Sequence, residues 1–151
     1  MNEFEIKMDI LISSLGEKNE ILNLILNITE NQEQLIDMDK SEEMWDMFVE
    51  MNEAKQEHID RVVELDNIFQ GVFEGISDNF EDKAREIPEK TANLQALINA
   101  SLELDVKIRA TEQRNRAELS KFKKTAPARV VANTSKAELL KRYEQNKKKQ
   151  Q

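Results

Sequence analysis

Residues that could catalyse a reaction or bind a metal are few in this chain, and their spacing suits neither task. His58 is the only histidine, and Lys55 occupies the position three residues before it, where a helical di-iron site needs a glutamate. Cysteine is absent, which excludes disulfides, thiol nucleophiles and thiolate metal ligands. Gly71 and Gly75 lack the lysine and the strand of a phosphate-binding loop. The sequence therefore predicts a protein that is not an enzyme and has no metal and no cofactor.

The composition is that of a helical protein. Three Gly, two Pro and 34 % charged residues are typical of a helix-rich chain, and 5 % aromatic content indicates a narrow, aliphatic core. No apolar run reaches the roughly 18 residues of a membrane span. The start, MNEFEIKMD, is acidic and lacks the basic region of a secretory signal, so we predict a cytoplasmic protein.

The net charge of −8 is unevenly distributed. Residues 121–151 contain ten Lys/Arg and two acidic residues, so this segment is +8 and the remaining 120 residues are −16. The acidic body is expected to repel nucleic acid and anionic membranes. The basic segment has two interpretations: a binder of phosphates without base specificity, or a mobile element that docks on a partner or on the acidic body. The acidic body and the lack of interleaved aromatic residues favour the second, so no nucleic-acid partner is predicted.

The stretch from Met44 to Ile76 predicts the helix against which the rest packs. Its apolar residues step by fours and threes in two neighbouring rows, which places both rows on one side of a helix and implies long partner helices. The first row contains Met44, Phe48, Met51, Val62, Leu65, Phe69, Val72 and Ile76, with Lys55 and His58 at its middle, and the second contains Trp45, Val49, Ile59, Val63 and Phe73. His58 is expected to be a seam residue with one nitrogen bonded to a neighbour.

Two further long helices flank this one. The first is predicted over residues 4–37, and Ser41 is the expected cap of the second helix. Two alternatives are open at the end of the second helix: a break near Gly71–Asn79, or continuation to Arg85. The third is predicted from Glu89 to Lys123, just after Pro88.

The apolar face of the third helix thins beyond Ile108. Thr111–Arg116 is polar throughout, so we expect this span to be solvated or to leave the core of its partners exposed. Most carboxylates of the chain are likewise expected on solvated faces.

These elements predict an all-α fold. It consists of an antiparallel, coiled-coil-like bundle of three long helices over residues 1–125 and a basic tail over residues 126–151. The tail is expected to contain a short amphipathic helix around Leu139, Leu140 and Tyr143, and to end in a disordered NKKKQQ run.

Four of the six methionines lie close together, at Met38, Met44, Met47 and Met51. Methionine adapts to irregular partners and recurs on surfaces that bind amphipathic helices. The cluster is interpreted either as such a surface or as ordinary core at one end of the bundle.

The order of these elements resembles the flagellar export chaperones of the FlgN and FliT kind. The resemblance rests on the segments LISSLGEKNEILNLILNITE and LINASLELDVKIRATEQRNRAEL and on the basic tail KAELLKRYEQNKKK. It implies a small, acidic, cytoplasmic helical protein. Such a protein binds the C-terminal amphipathic helix of an axial flagellar subunit, prevents premature assembly, and passes the subunit to the export machinery.

In this role a partner helix would occupy a groove between the second and third long helices. The candidate contacts are Phe73, Phe80, Leu94, Leu97, Ile98, Leu104 and Ile108, with Leu139, Leu140 and Tyr143 in the tail. Each is alternatively a residue of the intramolecular core. The alternative function is a self-associating coiled-coil scaffold, for which a homodimer is expected.

Overall fold

A computed structural model of the chain describes residues 1–38 and 41–125, without the side chains of residues 122–125. Every regular element in these ranges is helical, which confirms the all-α prediction. The short helix and basic tail predicted within residues 126–151 lie outside the described residues. No helix in the described ranges is both long enough and apolar enough to cross a membrane.

The first two long helices begin at residues with capping chemistry. Helix α1 spans Glu3–Met38, and Asn2 Oδ1 accepts a hydrogen bond from the backbone N–H of Glu5 at 2.8 Å. This bond satisfies one of the N–H groups that a helix start leaves without a partner. Helix α2 spans Glu42–Glu74 and follows Ser41, the predicted cap.

The chain breaks its helical path after α2, so the first of the two open alternatives holds. Helix α3 spans Phe80–Ala84, and Asn79 before it adopts φ 58°, in the left-handed region. Helix α4 spans Pro88–Thr125 and begins at the predicted proline. The hydroxyl oxygen of Thr91 lies 2.8 Å from the carbonyl oxygen of Ala84, which ties the first turn of α4 to the end of α3.

The described helices contribute to two compact units. Unit 1 comprises Met1–Leu24 and Asp60–Asp105, and unit 2 comprises Ile25–Ile59 and Val106–Gln151. The boundaries fall inside α1, α2 and α4, so each long helix contributes one segment to each unit.

In unit 1, α1 contacts both other long helices. Lys18 Nζ lies 2.7 Å from the carboxylate of Asp66 on α2, and Asn19 Nδ2 donates to the carbonyl oxygen of Leu97 on α4 at 3.0 Å. The buried core consists of apolar residues from all four helices: Phe4, Met8, Leu11, Leu15, Ile76, Ala84 and Leu94.

In unit 2, α1 again contacts α4, since Arg114 Nε donates to Glu33 at 2.7 Å. The apolar core is smaller and consists of Ile36, Met44, Trp45, Phe48 and Leu119. These contacts, like those of unit 1, are consistent with helices that pack side by side.

Candidate partner-binding surface

An open apolar groove lies in unit 1 between α1 and α2. We call it the α1/α2 groove, and it is lined by Met1, Ile6, Asp9, Ile10, Ser13, Ser14, Glu17, Arg61, Leu65 and Ile68. Ile6, Ile10 and Ile68 are 48 %, 41 % and 43 % exposed, whereas Leu65 is buried. The groove can therefore bury apolar side chains of another polypeptide.

The groove follows from residue spacing on the two helices. Ile6 and Ile10 are one turn apart on α1, and Leu65 and Ile68 are one turn apart on α2, so each pair lies on one side of its helix. The core of unit 1 is built on a neighbouring row of α1, which includes Met8, Leu11 and Leu15. Ile6 and Ile10 are left on the flank of this core, half open to solvent.

Arg61 and Glu17, which line the groove, belong to a charged cluster. Arg61 donates to both carboxylate oxygens of Glu17, from Nε at 2.8 Å and from a terminal nitrogen at 3.1 Å. Its other terminal nitrogen donates to Glu64 at 2.9 Å. The hydrogen bond from Arg61 holds the pKa of the Glu17 carboxyl below its usual value, so Glu17 stays ionised.

A second charged cluster borders the groove at Asp9. Lys90 Nζ lies 2.9 Å from Asp9 and 3.9 Å from Glu5. Each of the two bases, Arg61 and Lys90, is thus shared by two carboxylates. We call these two clusters the rim of the groove, and with four carboxylates and two bases the rim is net negative. Unit 1 as a whole contains 16 Asp/Glu and six Lys/Arg, a net charge of −10.

The predicted contacts Phe73 and Phe80 come together in an aromatic cluster of unit 1. The ring centroids of Phe73 and Phe80 are 5.3 Å apart, those of Phe69 and Phe73 are 6.4 Å apart, and those of Phe4 and Phe80 are 5.7 Å apart. Phe80 packs against the core, whereas Phe73 is 36 % exposed.

Three of the other predicted contacts also lie together. Leu94 belongs to the core of unit 1, and Leu97 and Ile98 are half-buried against it. Leu104 is half-buried in unit 1, and Ile108 is buried in unit 2. Leu139, Leu140 and Tyr143 lie outside the described residues. A role in partner binding stays a prediction for all ten residues.

The groove residues Ile6, Ile10 and Ile68 were not among the predicted contacts. In the sequence, the apolar residues of the first helix form a stripe that is broader than one neighbour can cover. The stripe consists of Ile10, Leu11, Leu15, Ile21, Leu22, Leu24, Ile25, Ile28, Leu35 and Ile36. That breadth is the available sequence signal for exposed apolar surface. The pattern does not say which row of the stripe remains outside the core.

Unit 2 contains a buried polar layer that connects its three helices. The layer consists of Thr29 and Gln32 on α1, Asn52 and Lys55 on α2, and Thr111, Glu112 and Asn115 on α4.

Lys55 is the centre of the layer and is 1 % exposed. Its Nζ lies 2.6 Å from Gln32 Oε1, 3.3 Å from Thr29 Oγ1 and 3.4 Å from Glu112 Oε1. Burial lowers the pKa of the Lys55 amine, and the carboxylate of Glu112 opposes part of this effect.

The layer corrects the prediction that Thr111–Arg116 is solvated, because Thr111, Glu112 and Asn115 are buried. Polar side chains can face inward here since most of their polar atoms have hydrogen-bond partners, either on another helix or within α4 itself. Asn115 Nδ2, for example, donates to the carbonyl oxygen of Thr29 at 3.1 Å. Glu112 is accordingly an exception to the expectation that carboxylates lie on solvated faces.

The remaining sequence candidates do not form a site. His58 is half-buried on α2, and no group of His, Asp and Glu suited to a metal ion occurs among residues 1–38 and 41–125. Met44 is buried in the core of unit 2, while Met38 and Met47 are 85 % and 48 % exposed. The methionines are therefore divided between core and surface.

Comparison of the chain with models of protein families, with curated proteins and with solved structures yielded no match.

Proposed function

We propose that this protein is a non-enzymatic helix-binding module that acts in the cytoplasm as a chaperone of flagellar export. Its ligand is the C-terminal amphipathic helix of an axial flagellar subunit. The observation that carries the proposal is the α1/α2 groove, in which Ile6, Ile10 and Ile68 are half open to solvent beside the buried Leu65.

Binding follows from burial of apolar surface. A partner helix that lays its apolar face along the groove removes the three isoleucines and its own apolar residues from water, at about 25 cal/mol per Å². A helix held in this way cannot pack against other subunits. Occupation of the groove therefore prevents premature assembly until the helix is released.

The proposed scaffold is an antiparallel, coiled-coil-like bundle of the three long helices. Contacts of α1 with α2 and with α4 support it. Exposure favours the α1/α2 groove over a surface built from Leu94, Leu97 and Ile98, because these three residues pack in or against the core of unit 1.

The test is a calorimetric titration of the full chain with synthetic C-terminal helices of flagellar axial subunits. We expect a 1:1 complex. The double variant Ile10→Gln/Ile68→Gln should weaken binding by about tenfold or more, since each isoleucine loses about 1 kcal/mol of burial. The matched control is Leu24→Gln/Val63→Gln, which removes two apolar residues of similar exposure, 46 % and 44 %, that do not line the groove.

Failure of every such helix to bind would contradict the proposal. Equal loss of binding in the groove variant and in the control would also contradict it, because the groove would then have no special role.

The rival function is self-association as a coiled-coil scaffold. Sedimentation analysis of the pure chain distinguishes this function from that of a chaperone. A tight dimer that is abolished by Ile10→Gln/Ile68→Gln would assign the groove to a second copy. A monomer that binds the peptide supports the chaperone.

A further inference from the structure

We propose that the α1/α2 groove selects a partner helix whose apolar face is flanked by Lys and Arg. This inference rests on the proposed function and adds the chemistry of the ligand to it. It is carried by the placement of charges around the apolar residues of the groove.

The bases at the rim are already neutralised within unit 1. Arg61 is shared by Glu17 and Glu64, and Lys90 is shared by Asp9 and Glu5. The rim therefore offers four carboxylates against two bases. An acidic ligand would find no free positive charge among these groups, while a basic ligand would find excess carboxylate oxygens.

The other bases of unit 1 do not change this sign. Lys18 is bound to Asp66, Lys7 to Glu3 and Arg85 to Asp82, while Lys83 lies over the ring of Phe4. With 16 acidic and six basic residues, unit 1 is net negative and attracts cationic ligands.

Apolar surface and charge act on different parts of the ligand. The isoleucines of the groove bury the apolar face of the partner helix. The carboxylates at the rim pair with Lys and Arg that lie about one helical turn from the apolar residues of the partner, on either side of its apolar face. Because rim pairs are exposed, their main effect is to favour one ligand over another and to speed association. Salt should weaken the preference, since exposed charges are screened.

The experiment uses the full chain and three model peptides of equal length. The first has a leucine face with lysine at all other positions, the second has the same face with glutamate in place of lysine, and the third is a scrambled version of the first without an apolar face. Binding is measured by calorimetry at low and at physiological salt.

We expect the amphipathic lysine peptide to bind at least about tenfold more tightly than the glutamate peptide at low salt, with a smaller ratio at physiological salt. Its binding should be lost in Ile10→Gln/Ile68→Gln. The variant Glu5→Gln/Glu64→Gln should weaken it several-fold. The control Glu86→Gln/Glu103→Gln changes the net charge equally at two exposed positions outside the clusters of Arg61 and Lys90, and it should have a smaller effect.

The other outcomes are distinguishable. If the glutamate peptide binds through the same isoleucines as tightly as the lysine peptide, the charge preference is wrong and the proposed function stands. If neither amphipathic peptide binds, the proposed function fails as well. If the scrambled lysine peptide binds equally well, attraction by charge alone explains the result and the inference is overturned.

Discussion

Lys55 Nζ on α2 lies 3.4 Å from Glu112 Oε1 on α4, and the side chains of these two residues are only 1 % and 4 % exposed. The two charges are thus removed from water in a layer where Thr29 and Gln32 supply further oxygen atoms. A buried pair of this kind gains from mutual attraction but loses the solvation of both ions.

The first prediction concerns removal of one partner. Lys55→Met should lower the free energy of unfolding by about 3–5 kcal/mol, because Glu112 is left as a buried charge without its base. Lys55→Met/Glu112→Leu should recover most of this loss, since no uncompensated ion remains. Urea unfolding followed by circular dichroism measures both.

The control for this pair is Lys107→Met, which removes an exposed lysine from α4 and should change stability by no more than about 0.5 kcal/mol. If the double variant were less stable than Lys55→Met alone, the pair would not be the source of the effect.

The second prediction concerns pH. The pKa of Lys55 in the folded chain lies below the ordinary value of 10.5, because burial disfavours the ammonium ion. Between these two pKa values the unfolded chain binds more protons, so the contribution of Lys55 to the free energy of unfolding rises with pH. Below the folded pKa the contribution is constant.

Urea unfolding from pH 7 to pH 10 tests this sign. The difference between the parent chain and Lys55→Met should increase toward alkaline pH, because only the parent carries the titrating amine. A difference that decreases with pH would mean that Glu112 raises the pKa of Lys55 more than burial lowers it.

The third prediction concerns two glycines inside helices. Gly16→Ala and Gly71→Ala should each raise the free energy of unfolding by about 0.5–1 kcal/mol, since alanine loses less conformational entropy in a helix. A Cβ at either position meets nothing within 4 Å. Thermal and urea unfolding measure the gain.

Gly75→Ala is the matched comparison. Gly75 follows the end of α2, and an added Cβ would lie 3.3 Å from Lys7 Nζ. Gly75→Ala should therefore raise the free energy of unfolding by less than Gly16→Ala or Gly71→Ala does. An equal gain at all three positions would show that helix propensity is not the cause.

The fourth prediction concerns the turn before α3. Asn79→Ala should lower stability by about 1 kcal/mol, because φ 58° is unfavourable for a residue with a Cβ and asparagine tolerates it better than alanine. Asn79→Gly should not lower stability, since glycine adopts this conformation freely. A loss in both variants would point instead to the side chain of Asn79.

Helix positions were predictable from the sequence because local signals carry them. Ser41 and Pro88 predicted the starts of α2 and α4 to within a residue. The glycines and capping residues near Asn79 indicated a possible break but left continuation open. The spacing of apolar residues by threes and fours predicted the long helices between these points.

The faces of the helices were less predictable. The polar span Thr111–Arg116 was expected in solvent, yet Thr111, Glu112 and Asn115 are buried. Glu112 and Asn115 bond across helices to Lys55 and Thr29, and these partners are far away in sequence. Val63 shows the converse, since its apolar row was expected to pack against partner helices and Val63 is 44 % exposed.

The sequence by itself determined that this chain is helical, where its described helices begin, and that its charge is divided between an acidic body and a basic end, because propensity, capping and charge are local properties. Only the tertiary structure decided that Lys55 pairs with Glu112 and that Ile6, Ile10 and Ile68 remain open in one groove. Burial depends on which neighbours arrive from distant parts of the chain. The pattern on one helix does not specify those neighbours.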